Sequence, residues 1–222
     1  MNRYNFLLEG IKNRRFINFL YLWGNFIKRD TRLGVLGDSD QIIRNYMHRK
    51  AAMQERRYIM EQFTGKIWVL GDDIDTDIII PTEYLALKSV QDMKPYAFSP
   101  LRPELAARIQ PGDIIVAGKN FGCGSSREQA PEIIKALGVR CVIAKSFARI
   151  FFRNSINNGL LLIENDALQE VVQEEDCITV TVNQDIEHND KHYEITSLPQ
   201  NLVDIIAAGG LVKAMRRLNG LD

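Results

Sequence analysis

Gly118-Lys-Asn-Phe-Gly-Cys-Gly-Ser-Ser-Arg-Glu128 lies between a segment that reads as a buried strand and one that reads as a helix. Ahead of it, Ile114-Ile-Val-Ala117 is a short apolar run that follows the turn pair Pro111-Gly112. Behind it, Ala130, Ile133, Ile134 and Leu137 recur near helical spacing. Glycines 118, 122 and 124 allow a tight turn and the close approach of a ligand. The first amides of a helix lack internal partners and attract anions. Arg127 beside them carries a planar, permanently charged fork that matches a carboxylate. The run therefore reads as a carboxylate-binding loop that could carry a reactive serine. A plainer reading competes with it. Ser125 with Glu128, or Ser126 with Gln129, has capping-box spacing. Capping accounts for one serine, but not for two serines, three glycines and an arginine together.

Three familiar motifs do not fit. Position 127 is Arg where a dinucleotide fingerprint needs its third glycine. Asn120 follows Gly118-Lys119 where a P-loop needs Ser or Thr. Neither serine has the Gly-x-Ser-x-Gly frame of a hydrolase elbow.

Outward from the loop, strands and helices alternate. Lys66 to Leu70, Cys141 to Ala144 and Leu160 to Ile163 read as strands of a sheet covered on both faces. Between the last two lies an expected helix with Ser146 as N-cap and Gly159 as its stop. On it Arg149 and Arg153 share a face. They point to an anion, a partner, a salt bridge or solvent. Thr179 to Asn183 and His192 to Ile195 read as later strands joined through the polar stretch around Asn189-Asp190. Helices are expected over 201–208 and 211–218, with Gly209-Gly210 between. This order predicts an α/β fold or a β/β/α sandwich in one domain over residues 60–222.

The aspartates 72, 73, 75 and 77 superficially suggest calcium. An EF-hand starting at Asp73 would need Gly where Ile78 stands and Glu where Tyr84 stands. The acids read instead as turn-makers, with Ile74 to Ile80 alternating as a turn that feeds a strand. Cys123, Cys141 and Cys177 show no short metal-site spacing, so no metal ligand is assigned to this chain. Their odd number and lack of a disulfide framework fit a reducing cytoplasm. Cys141 reads as a buried small hydrophobe, and Cys123 either packs or faces the cleft.

Charge divides the chain. Residues 1 to 59 hold 12 Lys/Arg and 5 Asp/Glu, 12 − 5 = +7, and the remainder holds 16 and 23, 16 − 23 = −7. An acidic remainder argues against a nucleic-acid surface. The patch Phe16 to Trp23 is too short to span a bilayer and contains Asn18, so no membrane span is expected.

Taken together, Gly71-Asp-Asp-Ile-Asp-Thr-Asp-Ile-Ile-Ile-Pro81, Tyr84-Leu85, Gly118 to Pro131, Ala144 to Asn154 and Asn157-Asn-Gly159 resemble the small subunits of the aconitase superfamily. The likeness is closest to the 3-isopropylmalate dehydratase small-subunit family and covers residues 60 to 222. It implies the swivelling β/β/α domain of that superfamily, acting on a small hydroxy di-acid. It also implies a separate large subunit bearing a [4Fe-4S] cluster, one iron of which acts as Lewis acid. In that family the first serine of the pair is the base, which falls on Ser125. The arginine that binds a substrate carboxylate falls on Arg127. Ser126 adds hydrogen bonds, and Asp77 matches an active-site acidic position. The three histidines, His48, His188 and His192, lie outside the matched motifs and offer no obvious base.

The segment Tyr84-Leu85-Ala86 is where this family separates substrates. Homoaconitase-type members carry an arginine after Tyr-Leu. Ala86 cannot pair a carboxylate but can border an isopropyl group. The expectation is therefore leucine-pathway 2-isopropylmalate, with homocitrate, a dimethylmalate or a non-catalytic anion-binding role as alternatives. Lys88 either turns inward to pair a carboxylate or stays solvated. Family members usually begin near Met60, and Gln54-Glu-Arg-Arg-Tyr-Ile is compatible with codons containing AGGAGA, a ribosome-binding pattern. Residues 1 to 59 are accordingly expected to be a basic extension arising from a wrongly assigned start codon.

Overall fold

The structure is a computed structural model that describes residues 62–221. The expectations for residues 1 to 59, the apolar patch Phe16 to Trp23 and His48 lie outside the described residues.

Seven strands form one mixed sheet: β1 Gln62–Val69, β2 Ile114–Ala117, β3 Cys141–Ala144, β4 Leu161–Glu164, β5 Cys177–Thr181, β6 Asp185–His188 and β7 Lys191–Glu194. Their order is β4-β3-β2-β1-β5-β6-β7. From β1 to β4 every pairing is parallel, and from β1 to β7 every pairing is antiparallel. The helices are α1 Thr76–Ile79, α2 Val90–Met93, α3 Leu105–Arg108, α4 Gln129–Ala136, α5 Arg149–Asn158, α6 Leu168–Val171, α7 Gln200–Ala208 and α8 Leu211–Leu218. A 3₁₀ turn spans Thr82–Ala86.

The α/β architecture agrees with the sequence reading. β2 and β3 hold four buried residues each because both faces of the parallel half are covered. Side-chain alternation sends Trp68, Ile115, Val142 and Leu162 into one core, with Ile133 and Ile134 of α4. Ile67, Ile114, Ile143 and Ile163 enter the other, with Ile178, Val180, Ile186 and Ile206. Trp68 keeps its indole N–H satisfied by donating to the Asp113 carboxylate at 2.7 Å.

Four local expectations are corrected. Ile74 to Ile80 does not feed a strand. Asp75 caps α1, accepting from the Ile78 amide at 2.7 Å, and that local bond turns the chain into a helix. Ser146 is not the cap of α5; Ala148 occupies that position, and the Ser146 hydroxyl accepts from the Asn120 amide instead. Neither serine of the glycine loop caps α4, whose N-cap is Glu128 without a side-chain bond. A strand, β6, lies where only a connection was expected, and Asn189-Asp190 joins β6 to β7. Both turn residues have positive φ, 50° and 59°, which asparagine and aspartate tolerate and a tight hairpin requires. Gly159 ends α5 at φ 74° as read.

Candidate active site

Three loops leave the C-terminal ends of the parallel strands β1, β2 and β3, the edge where open α/β sheets place their ligands. Backbone bonds tie the first two together. The Asp73 amide donates to Lys119 O at 2.8 Å, the Gly122 amide to Ile74 O at 2.7 Å and the Thr76 amide to Cys123 O at 2.9 Å. The third loop joins through Phe121, whose amide donates to Ser146 O at 3.0 Å and whose carbonyl accepts from the Ala148 amide at 2.9 Å. Asp72 accepts from the Lys119 amide at 2.7 Å, and Asp73 accepts from Asn120 Nδ2 at 2.8 Å. Of the aspartates read as turn-makers, Asp75 bonds within its own turn, whereas Asp72 and Asp73 tie the first loop to the second, 47 residues along the chain. Gly122 is the position that forces glycine. Its φ is 76°, and a Cβ there would meet the Phe151 ring at 2.1 Å.

At the tip, Ser125 and Ser126 are both exposed. The Ser125 carbonyl is held from two sides, accepting from the Arg127 amide at 2.8 Å and from Thr76 Oγ1 at 3.1 Å. The loop is therefore anchored by its backbone, and both serine hydroxyls are left out of the cap of α4. Ser125, Ser126 and Arg127 stand in three successive residues just ahead of the positive end of an eight-residue helix.

Arg127 is largely covered, with 14% of its side chain exposed. Its Nη1 donates to Asp77 Oδ1 at 2.6 Å and to Ile80 O at 3.1 Å, and its Nη2 donates to Thr82 Oγ1 at 2.8 Å. Thr82 Oγ1 in turn donates to Asp77 Oδ1 at 2.8 Å. The Arg127 guanidinium, and secondarily the Thr82 hydroxyl, hold the Asp77 carboxyl below its ordinary value, so it is a carboxylate near neutral pH. The structure brings Asp77 and Arg127 into contact across 50 residues of sequence.

The remaining expected residues are placed as follows. The Tyr84 ring stacks on Tyr96 with centroids 3.9 Å apart and planes nearly parallel, and Leu85 packs partly buried on the core. Ala86 is exposed at the end of the 3₁₀ turn, and Lys88 is exposed beyond it. Cys123 is half-buried beside Asp75 and Asp73; burial and then those two carboxylates push its thiol up, away from the reactive thiolate. Cys141 is buried in β3, with its thiol pushed up by burial, and Cys177 is exposed in β5. The three cysteines occupy separate places, so their donor set does not fit an iron–sulfur cluster. No group of three or more metal-ligating residues gathers among the described residues. Arg149 and Arg153 are exposed on α5. His188 and His192 sit in the β6–β7 hairpin, bonded to Asp176 at 2.9 Å and Asp185 at 2.6 Å, outside the three loops. Among the described residues no helix is long and apolar enough to cross a membrane. Sequence reasoning missed Thr82 and Tyr96. Nothing in a single chain marks either one, since their significance lies in contacts made only on folding.

The sheet, with its polar groups on loops beyond the parallel strands, defines an aconitase-type domain, and the Aconitase C-terminal domain family matches residues 49–168. The 3-isopropylmalate dehydratase small subunit of Lachnospira eligens is 80% identical over 162 residues, which cover 73% of this chain and 99% of that protein. That of Nautilia profundicola is 45% identical over 162 residues, 72% of this chain and 97% of the relative. The crystal structure of 3-isopropylmalate dehydratase from Methanocaldococcus jannaschii superposes with a TM-score of 0.68 at 36% identity, covering 72% of this chain and 96% of that one. This chain belongs to the 3-isopropylmalate dehydratase small-subunit family.

Proposed function

We propose that this chain is the small, substrate-gripping half of a 3-isopropylmalate dehydratase. It works with a large subunit that holds the iron–sulfur cluster, and it isomerises 2-isopropylmalate to 3-isopropylmalate in leucine biosynthesis in the cytoplasm. The supporting observation is the 80% identity to a 3-isopropylmalate dehydratase small subunit over 99% of that relative's length. The exposed Ser125 and Ser126, with the largely covered Arg127 beside them, supply the chemistry in this reading.

In this reading Arg127 grips one substrate carboxylate and Ser126 adds a hydrogen bond. Ser125, as the oxyanion, takes the proton from the carbon next to the one that bears the hydroxyl. That C–H pair becomes a carbon–carbon double bond as the hydroxyl leaves, and the two fragments together make one water. Readdition returns a proton to one carbon and a hydroxyl to the other with the positions exchanged, so atoms balance. A serine hydroxyl is a weak base by itself. The nearby guanidinium and the positive end of α4 favour its oxyanion. Ala86, exposed and without a polar group, borders the isopropyl group, with Tyr84 and Leu85 as its packed support.

The test is reconstitution. The full chain is mixed with a cluster-loaded large subunit and assayed on 2-isopropylmalate, homocitrate and a dimethylmalate. Turnover is expected only after mixing and mainly on isopropylmalate. Activity of this chain alone, or a preference for homocitrate, would overturn the reading.

A further inference from the structure

The guanidinium of Arg127 has five N–H donors. Three are engaged: both protons of Nη1, on Asp77 Oδ1 and Ile80 O, and one of Nη2, on Thr82 Oγ1. Thr82 Oγ1 and Asp77 Oδ1 lie 2.8 Å apart. Two acceptor oxygens that close can be served by Nη1 and Nη2 only side by side, along the edge those two nitrogens share. Thr82 and Asp77 therefore occupy that edge much as the two oxygens of one carboxylate would. The donors left over, on Nε and Nη2, lie together on the opposite edge.

We infer that Thr82 is a positioning residue: its hydroxyl locks one edge of Arg127 so that the Nε–Nη2 edge is held out for a substrate carboxylate. Only a hydroxyl can fill this place. It accepts from Arg127 and at the same moment donates to Asp77. A valine of the same shape does neither. It would leave Nη2 without a partner on that edge, and the fork would be held through Nη1 alone, by Asp77 and Ile80 O. Thr82 is exposed and stands at the first position of the 3₁₀ turn, so the role does not draw on core packing. The same turn carries Tyr84-Leu85-Ala86, and its placement is thereby tied to the carboxylate grip.

This inference rests on the proposed function for its kinetic arm and has a second arm that does not. In the reconstituted complex, Thr82→Val should raise KM for isopropylmalate about ten- to hundredfold, the loss expected for a hydrogen bond to a charged group, with kcat changed far less. Thr82→Ser keeps the hydroxyl and should restore KM to near wild type. Thr82→Ala, also without the hydroxyl, should behave as valine does and guards against a folding defect peculiar to one variant. A purely structural residue would lower the melting temperature and leave the KM-to-kcat split unmoved. A wild-type KM in Thr82→Val, or equal damage from serine and valine, overturns the inference. The second arm titrates the Asp77 carboxyl by NMR in the full chain without its partner. Its midpoint should rise in Thr82→Val and Thr82→Ala but not in Thr82→Ser, and an unmoved midpoint overturns the contact. Should the wild-type complex prove inert toward isopropylmalate, the proposed function fails while the titration still decides the role of Thr82.

Discussion

On the parallel side of β1 adjacent residues are buried as pairs: Ile114 and Ile115 are both fully covered, one in each core. On the antiparallel side burial alternates. Ile186 in β6 is fully covered, while its neighbour Glu187 is exposed. The two halves share a strand and differ in cover, because helices lie on both faces of the parallel part and leave one face of the hairpin to solvent. The difference extends to function. Loops from the parallel strand ends bring Asp77, Thr82, Ser125, Ser126 and Arg127 to one edge. The antiparallel half contributes Ile178, Val180 and Ile186 to the second core and none of the site residues. In the proposed function the doubly covered half carries the chemistry, and the antiparallel half adds apolar side chains to the second core.

Core truncation should sharpen this contrast most. Ile114→Ala and Ile115→Ala should each cost about 2–5 kcal/mol, since both leave cavities in packed cores. In β6 the adjacent pair should split. Ile186→Ala should fall in the same range, whereas Glu187→Ala should stay within about 0.5 kcal/mol. Denaturant unfolding of the four variants measures this, and a large loss at Glu187 would break the comparison.

A smaller effect concerns the link between the halves. Arg102, in the loop after α2, pairs with Glu174 at 2.5 and 2.9 Å, and Glu174 lies just ahead of β5. The Arg102 hydrogen bond holds the Glu174 carboxyl below its ordinary value. A depressed folded value means that the contribution is present at neutral pH, above the unfolded value. It disappears as pH falls through the folded one. The melting temperature of the wild type should therefore fall as pH drops below about 4.5, the ordinary glutamate value. Glu174→Gln should lower the melting temperature slightly at pH 7 and flatten that acid decline. The pair is partly exposed, so its worth is held to about 1 kcal/mol or less. An unchanged acid slope in the variant would contradict the link.

Legibility followed the same division. β2 and β3 were read with correct bounds because continuous apolar runs between turn signals have few other meanings. β6 was missed because Asp185-Ile-Glu-His188 has one apolar residue in four, and only its pairing with β5 and β7 makes it a strand. α1 was misread because its aspartates and isoleucines alternate, and a single side-chain bond from Asp75 outweighs that pattern. At the site, the glycine loop reads as an anion grip from its own residues. The roles of Ser125 and Asp77 came from resemblance alone. The tie from Arg127 to Asp77 and Thr82 spans 50 and 45 residues, and no local pattern encodes it.

The proposed function makes Ser125 the base that this loop presents to the partner subunit. The most direct measurement is kcat of Ser125→Ala in the reconstituted, cluster-loaded complex, with the melting temperature of the same sample alongside. The hydroxyl is exposed and does not cap α4, so stability should be unchanged while the rate falls by about 10²–10⁴. A variant that turned over isopropylmalate at the wild-type rate would contradict the account.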